Sequence, residues 1–309
     1  MEKDRARRIA VLIPCCNEAS TVANVVREFR KLLPAAKIYV YDNNSDDGTA
    51  LRARKAGAVV STVKTRGKGN VVRRMFYAID ADVYIMVDGD STYTAADAPK
   101  MIDELIEKDV DMIVAVRRGK SATAYRSGHK FGNSLFNFIV RLLFNSPFRD
   151  IFSGYRVFSR RFVKTFPMVS NGFDVEAELS IHALSLDIPF AEIDSEYLER
   201  PINSHSKLHT LRDGCKILMS IIRLLKETKP FLFFFVIFLM LCAISVGIAY
   251  PVLTMFLQTG LVSRLPTAVL AMGIMLLSFL CLTCGIILDS TSRARLEIKK
   301  LHYLQSEHY

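Results

Sequence analysis

The sequence predicts an α/β domain with parallel strands, joined to a pair of membrane-spanning helices. Three observations predict it. Short β-branched runs alternate with amphipathic helical patterns through roughly the first 120 residues, polar segments follow those runs, and apolar residues crowd into the chain beyond Pro230. Such alternation is the sequence form of strands and crossover helices sharing one sheet.

The candidate strands are Ile9–Ile13, Lys37–Tyr41, Ala58–Thr62, Val83–Val87 and Asp111–Val116. Helices fill the intervals. Ser20 reads as the N-cap of the first, in which Val22, Val25, Val26, Phe29 and Leu32 recur at helical spacing. The polar segments after the strands then collect at one sheet edge, where α/β folds bind ligands. Lys130 to Phe144 carries a broad apolar stripe with Arg141 among it, and Thr210 to Lys226 sets an apolar side against a basic face of Arg212, Lys216, Arg223 and Lys226. Helices of this kind either lie in a membrane interface or pack on the soluble core. The second leads straight into the apolar region, which favours the interface.

Residues 230–263 hold no charged side chain, and neither do residues 265–288. Each stretch exceeds the roughly 20 apolar residues that cross a bilayer as a helix. Two spans are expected, 231–257 and 266–289, joined by a turn containing Gly260 and Arg264. Lys226 and Lys229 precede the hairpin, and Arg293, Arg295, Lys299 and Lys300 follow it. The positive-inside bias therefore puts both termini in the cytoplasm. The expected layout is a cytoplasmic domain at 1–209, an amphipathic segment at 210–229, the hairpin at 230–290 and a cytoplasmic tail at 291–309. Met1–Arg8 is highly charged and runs into a strand, so no cleaved signal peptide is expected.

The net charge of +10 suits anionic partners: lipid headgroups, a lipid phosphate, a nucleoside diphosphate. Nucleic acid is disfavoured, since no recognition module appears. The 6 cysteines make no disulfide framework, because Cys15 and Cys16 are adjacent, Cys215 is isolated and Cys242, Cys281 and Cys284 lie within the spans. His205 and His209 sit four apart without a zinc-protease glutamate.

Chemistry concentrates in Asp88-Gly89-Asp90, directly after an apolar strand. Two carboxylates one residue apart can hold a hard divalent cation against a diphosphate. Alone, the triplet reads equally as a solvated turn. Its neighbours add weight: Ile13-Pro14-Cys15-Cys16-Asn17-Glu18 closes the first strand, and Asp42-Asn43-Asn44-Ser45-Asp46-Asp47-Gly48-Thr49 closes the second.

In this order, these segments resemble the family-2 glycosyltransferases, whose GT-A fold is a Rossmann-like mixed sheet with flanking helices. Arg66-Gly67-Lys68-Gly69-Asn70, Asp150-Ile151-Phe152-Ser153-Gly154-Tyr155-Arg156, Arg200 and Ser206-Lys207 extend the resemblance over nearly the whole chain. With the hairpin, the chain is similar to the polyprenyl-phosphate subgroup, the dolichyl-phosphate mannose synthases and undecaprenyl-phosphate glucosyltransferases.

The resemblance implies roles. Pro14, Asn17, Glu18, Asp42 and Asn44 would line the nucleoside pocket; Lys68, Gly89 and Ser206 would meet the donor; Asp88 and Asp90 would bind Mg2+ or Mn2+. Arg117, Lys130 and Ser134 would receive the lipid phosphate, and Arg200 and Lys207 would close over the diphosphate. Asn43 stands where many members have a second Asp, and Lys130 where many have Arg. The expected substrates are a nucleotide sugar, UDP-linked ahead of GDP-linked, and a polyprenyl phosphate, undecaprenyl ahead of dolichyl. A bacterial inner membrane is the expected location, and homo-oligomers such as tetramers occur in the subgroup. A processive polysaccharide synthase is the nearer rival, but its Gln-x-x-Arg-Trp motif needs a tryptophan, and this chain has none. The other rival is an inactive membrane scaffold, against which the intact Asp88/Asp90 pair argues.

Overall fold

The computed structural model describes residues 7–119, 138, 141, 148–167, 175–198, 219, 222, 223, 225–262 and 264–306. It divides into two compact units, Met1–Gly214 with Lys299–Tyr309, and Cys215–Ile298.

The first unit is built on a seven-stranded sheet of order β3-β2-β1-β4-β6-β5-β7. The strands are β1 (Ile9–Cys15), β2 (Lys37–Asp42), β3 (Val59–Thr62), β4 (Val83–Met86), β5 (Met112–Gly119), β6 (Arg156–Ser159) and β7 (Phe190–Tyr197). The five strands expected from the sequence all form and run parallel. Only β6 opposes them, pairing antiparallel with both β4 and β5, which makes the sheet mixed. Register fixes the working edge: Cys15 pairs with Asp42 and Leu12 with Met86, so the loops after β1, β2 and β4 emerge side by side.

Helices cover both faces. Alternate β1 residues Val11, Ile13 and Cys15 join a core with Val25, Val26 and Phe29 of α1 (Val22–Leu32) and Met101 and Leu105 of α4 (Ala98–Glu107). On the other face Phe76 of α3 (Lys68–Ala78) meets Phe158 at 5.8 Å, and Phe158 stacks on Phe162 of α5 (Arg160–Thr165) at 4.9 Å. Helix α6 (Val175–Ser185) completes this layer, while α2 (Thr49–Lys55) joins the first one through Ala53. One expectation is corrected. The N-cap of α1 is Thr21, not Ser20, because the Thr21 carbonyl accepts the bond that opens the helical ladder, from the Val25 N–H at 3.2 Å.

In the second unit α7 (Pro230–Thr259) and the apolar part of α8 (Leu265–Gln305) are both long and apolar enough to cross a membrane. They approach closely through small residues. Ser245 donates to the Ala271 carbonyl at 2.7 Å and Ser278 to the Phe238 carbonyl at 3.0 Å. A Cβ on Gly285 would stand 3.0 Å from that of Phe234. Small residues and hydroxyl-to-carbonyl bonds are what joins helices where no hydrophobic drive acts between them. Gly260 ends α7 with φ of 68°, a left-handed cap. Helix α8 overshoots the expected 266–289: its 41 residues span about 60 Å, twice a bilayer core of about 30 Å. Residues Lys299–Tyr309 belong to the first unit, where Tyr303 is buried against Asp111.

Candidate active site at the strand ends

The loop after β1 is tied to the loop after β2. The backbone N–H of Asn17 donates to Ser45 Oγ at 2.8 Å, and Asn17 Oδ1 accepts from the Asp46 N–H at 3.1 Å. Asn17 and Asn44 both hold left-handed backbone, φ 54° and 57°, a conformation Asn tolerates better than most residues. The Glu18 N–H donates to Thr49 Oγ1 at 2.9 Å, and Ala19 N–H to Asp47 Oδ2 at 3.0 Å. Pro14 lies within β1, opposite Tyr41. Asp42 is buried at the end of β2: Oδ2 accepts from the Ser45 N–H at 3.2 Å, whereas Oδ1 is buried with no hydrogen-bond partner.

The loop after β4 lies beneath these. Gly89 packs so closely that a Cβ there would meet Cys15 Sγ at 2.5 Å, and its carbonyl accepts from Thr21 Oγ1 at 2.7 Å. Asp90 is buried, and its Oδ1 accepts from the N–H and hydroxyl of Thr92, at 3.1 and 2.6 Å. Burial pushes the Cys15 thiol well above its ordinary range, and Glu18, Asp42, Asp88 and Asp90 push it further. Four carboxylates from three strand ends thus share one neighbourhood.

Lys68 opens α3 behind Gly67, whose φ of 122° suits glycine alone. Its ammonium lies 2.5 Å from Asp88 Oδ1 and also contacts Glu176 of α6. Burial disfavours that charge, but the attraction of Asp88 and Glu176 outweighs it and holds the Lys68 pKa above the usual lysine range. Asn43 sets the approach of this loop. Its amide donates to the carbonyls of Val63 at 3.1 Å and Thr65 at 2.8 Å, and its Oδ1 accepts from the Gly67 N–H at 2.7 Å. Asn43, which stands where many members of the resembled family have a second Asp, therefore holds the Lys68 loop.

The segment from Asp150 to Arg156 backs the site. A Cβ on Gly154 would stand 2.3 Å from Asp88 Oδ2, so the carboxylate fits only beside glycine. Arg156 is fully buried, donating to the carbonyls of Ser153 at 2.9 Å and Ile151 at 2.5 Å and to Ser180 Oγ at 2.9 Å. Burial brings its pKa down to about 10. Of the adjacent arginines, Arg117 turns inward and pairs with Asp150, while Arg118 is exposed and pairs with Asp194 at 2.8 Å.

The donor set suits a hard divalent cation: oxygens only, an unpartnered buried Asp42 Oδ1, a buried Ser91 Oγ also without a partner, and the glycine cradle around Asp88. Among the described residues, no three His, Cys, Asp or Glu side chains gather closely enough to hold an ion by themselves. Asp88 and Asp90 would need further oxygens, as a diphosphate supplies.

The sheet edge thus unites Pro14, Asn17, Glu18, Asp42, Asn44, Lys68, Asp88, Gly89 and Asp90. Lys130, Ser134, Arg200, Ser206 and Lys207 lie outside the described residues, as do most of both amphipathic segments. Sequence reasoning gave no positive role to Glu176, 108 residues from its partner Lys68, and no local signal marks that pairing.

A model of the glycosyl transferase family 2 matches residues 10–166, half of the chain. The chain belongs to that family. This family-2 glycosyltransferase is 32% identical over 304 residues to glycosyltransferase AglJ of Haloferax volcanii, covering 96% of this chain and 98% of that one. It is 27% identical over 221 residues to a dolichyl-phosphate hexose transferase of the same organism, covering 72% of this chain and 95% of that one. Its fold matches glucosyl-3-phosphoglycerate synthase of Mycobacterium tuberculosis at a TM-score of 0.59 and 23% identity, over 72% of this chain and 80% of that one. A crystal structure of that synthase in complex with Mn2+, UDP and glucosyl-3-phosphoglycerate matches at a TM-score of 0.56 and 22% identity over the same shares. The glycosyltransferase thus has the GT-A fold.

Proposed function

We propose that this glycosyltransferase moves a hexose or N-acetylhexosamine from a nucleotide sugar, UDP-linked ahead of GDP-linked, to a polyprenyl phosphate at the cytoplasmic face of a membrane. The observation that carries the reading is a family-2 site of converging carboxylates, with Lys68 among them, in a chain that also holds two apolar helices of membrane-crossing length. The named dolichyl-phosphate hexose transferase supports the lipid acceptor. The positive residues flanking the hairpin support a cytoplasmic catalytic unit.

Glu18, Asp42, Asn17 and Asn44 would orient the nucleoside, and Lys68 would meet the diphosphate. Asp88 and Asp90 would hold Mg2+ or Mn2+, and an ion bound there would supply positive charge to offset that of the departing nucleoside diphosphate. The nucleophile sets what else is needed. A phosphate monoester has a second pKa near about 6, so at neutral pH it already presents an oxyanion and needs no general base. That oxygen attacks the anomeric carbon as the bond to the diphosphate breaks, and no proton moves. A single displacement inverts the centre, giving a β-linked lipid phosphate from an α-linked donor. Positioning and charge neutralisation by Arg117, Lys130, Arg200, Lys207 and the donor-side residues then supply the rate, with Ser134 and Ser206 orienting the phosphates. The nearby carboxylates Asp150 and Glu176 are engaged by Arg117 and Lys68, consistent with structural duties.

The test is release of UDP from a panel of UDP-sugars, with and without polyprenyl phosphate. Release that depends on the lipid supports the reading. Equal release without it contradicts the acceptor.

A further inference from the structure

Two cations compete for Asp88 if the proposed reading of the site holds. One is the metal; the other is built into the chain. The Lys68 ammonium lies 2.5 Å from Asp88 Oδ1, with its side chain 16% exposed, and it also contacts the nearly buried Glu176. Gly154 packs against Asp88 so closely that a Cβ there would stand 2.3 Å from Oδ2, so the carboxylate is hemmed in on that flank while Lys68 holds Oδ1. We propose that Lys68 is an internal counter-cation that occupies Asp88 while the donor site is empty and yields it when a nucleoside diphosphate and a divalent ion arrive together, with Glu176 retaining the displaced ammonium. This proposal rests on the metal-dependent glycosyltransferase reading above and adds an order to it.

The physical reason is charge balance. An ammonium and a divalent ion on one carboxylate in a partly buried site repel each other, so a divalent ion alone binds Asp88 against the Lys68 charge. A diphosphate changes that balance by offering its own oxygens to both cations. Lys68 starts a helix directly behind Gly67 and is held on its loop by Asn43, so the ammonium needs only side-chain rotation to reach another anion. Glu176, on α6, keeps it nearby throughout. The consequence is positive coupling: UDP strengthens Mn2+ binding, and Mn2+ strengthens UDP binding by the same factor.

Mn2+ binding to the detergent-solubilised full chain, followed by the electron paramagnetic resonance of free Mn2+, tests this without turnover. Wild type should bind Mn2+ weakly alone and about tenfold more tightly with UDP, within the range usual for coupled sites. Lys68→Met should bind Mn2+ alone about tenfold more tightly than wild type and lose most of the UDP effect. Lys68→Arg, which keeps the charge, should behave as wild type, and Glu176→Gln should bind Mn2+ alone more weakly, since the ammonium then has only Asp88. These opposed directions are not what a folding defect produces, and thermal melting of each variant checks that it is folded. If folded Lys68→Met binds Mn2+ alone no more tightly than wild type, while Mn2+ with UDP still binds wild type and needs Asp88, the counter-cation idea is overturned and the glycosyltransferase reading stands. If Mn2+ with UDP binds Asp88→Asn as well as wild type, the metal site itself is misassigned and both fall.

Discussion

Arg117 grips Asp150 at two points, Nε to Oδ2 at 2.7 Å and Nη2 to Oδ1 at 2.8 Å. The pair joins the end of β5 to the loop that backs Asp88. Burial would raise the pKa of Asp150, but the Arg117 guanidinium outweighs it and holds the carboxyl below its usual range. Asp150 is therefore a poor base and a good anchor. Asp150→Asn should lower stability by about 3 kcal/mol, since it leaves a largely buried guanidinium without its counter-charge. Activity lost in the folded variant should not return at high pH. Thermal melting and a pH–rate profile check both, and recovery above pH 8 would point to Asp150 as a base.

Asn43 offers a sharper substitution, because only an amide can donate to the carbonyls of Val63 and Thr65 while accepting from Gly67. Asn43→Asp keeps the shape and turns both donors into acceptors facing carbonyl oxygens. The expected cost is about 2 kcal/mol, with a rise in donor KM as the Lys68 loop loosens. Unchanged donor KM and melting temperature would show that the loop is held by other means.

His182 sets a pH dependence. It is buried between Phe162 and Phe166 with Nε2 unpartnered, and burial first, then Lys299, brings its pKa down from 6.5 to about 3. The unfolded chain takes up this proton below about pH 6.5 and the folded chain does not, so acid favours unfolding. The stabilisation is complete above about pH 6.5 and is lost as pH falls toward 3, at up to about 1.4 kcal/mol per unit. Melting temperatures from pH 7 to 5 should fall more steeply for wild type than for His182→Leu. Parallel curves would exclude His182 as the cause.

Tyr303 is the anchor of the C-terminal segment. Its hydroxyl donates to the fully buried Asp111, which also pairs with Arg161 at 2.6 Å, and the Arg161 guanidinium lies 4.5 Å from the Tyr303 ring centre. Tyr303→Phe removes one hydrogen bond to a charged acceptor and should cost about 1.5 kcal/mol. Proteolysis beyond Lys299 should accelerate in parallel. Equal protection in the variant would mean that packing alone holds the segment.

These particulars show what the chain made legible. Strands β1 to β5 announced themselves because each is a short apolar run between polar segments, and the Asp88/Asp90 pair stood out because it follows β4 directly. Strand β6 did not, because its four residues include Arg156, a charge that is buried only after Ile151, Ser153 and Ser180 surround it. Strand β7 hides behind Glu192, Asp194 and Glu196, whose charges leave no apolar run to find; Glu192 and Asp194 pair with arginines in the fold. Helix α8 outran its apolar stretch because helical periodicity continues after the hydrophobic residues stop, with Asp289 and Arg293 pairing one turn apart at 2.9 Å. The Lys68–Glu176 contact joins residues 108 apart, and only the assembled sheet brings them together.

The lipid product is the most direct test of the account. The purified chain is incubated with Mg2+, undecaprenyl phosphate and α-linked UDP-sugars, and the lipid fraction is analysed by mass and by anomeric coupling. The account predicts a polyprenyl monophosphate carrying one sugar in β linkage, formed by wild type and not by folded Asp88→Asn. A lipid diphosphate, an α-linked sugar or a growing polysaccharide would contradict it.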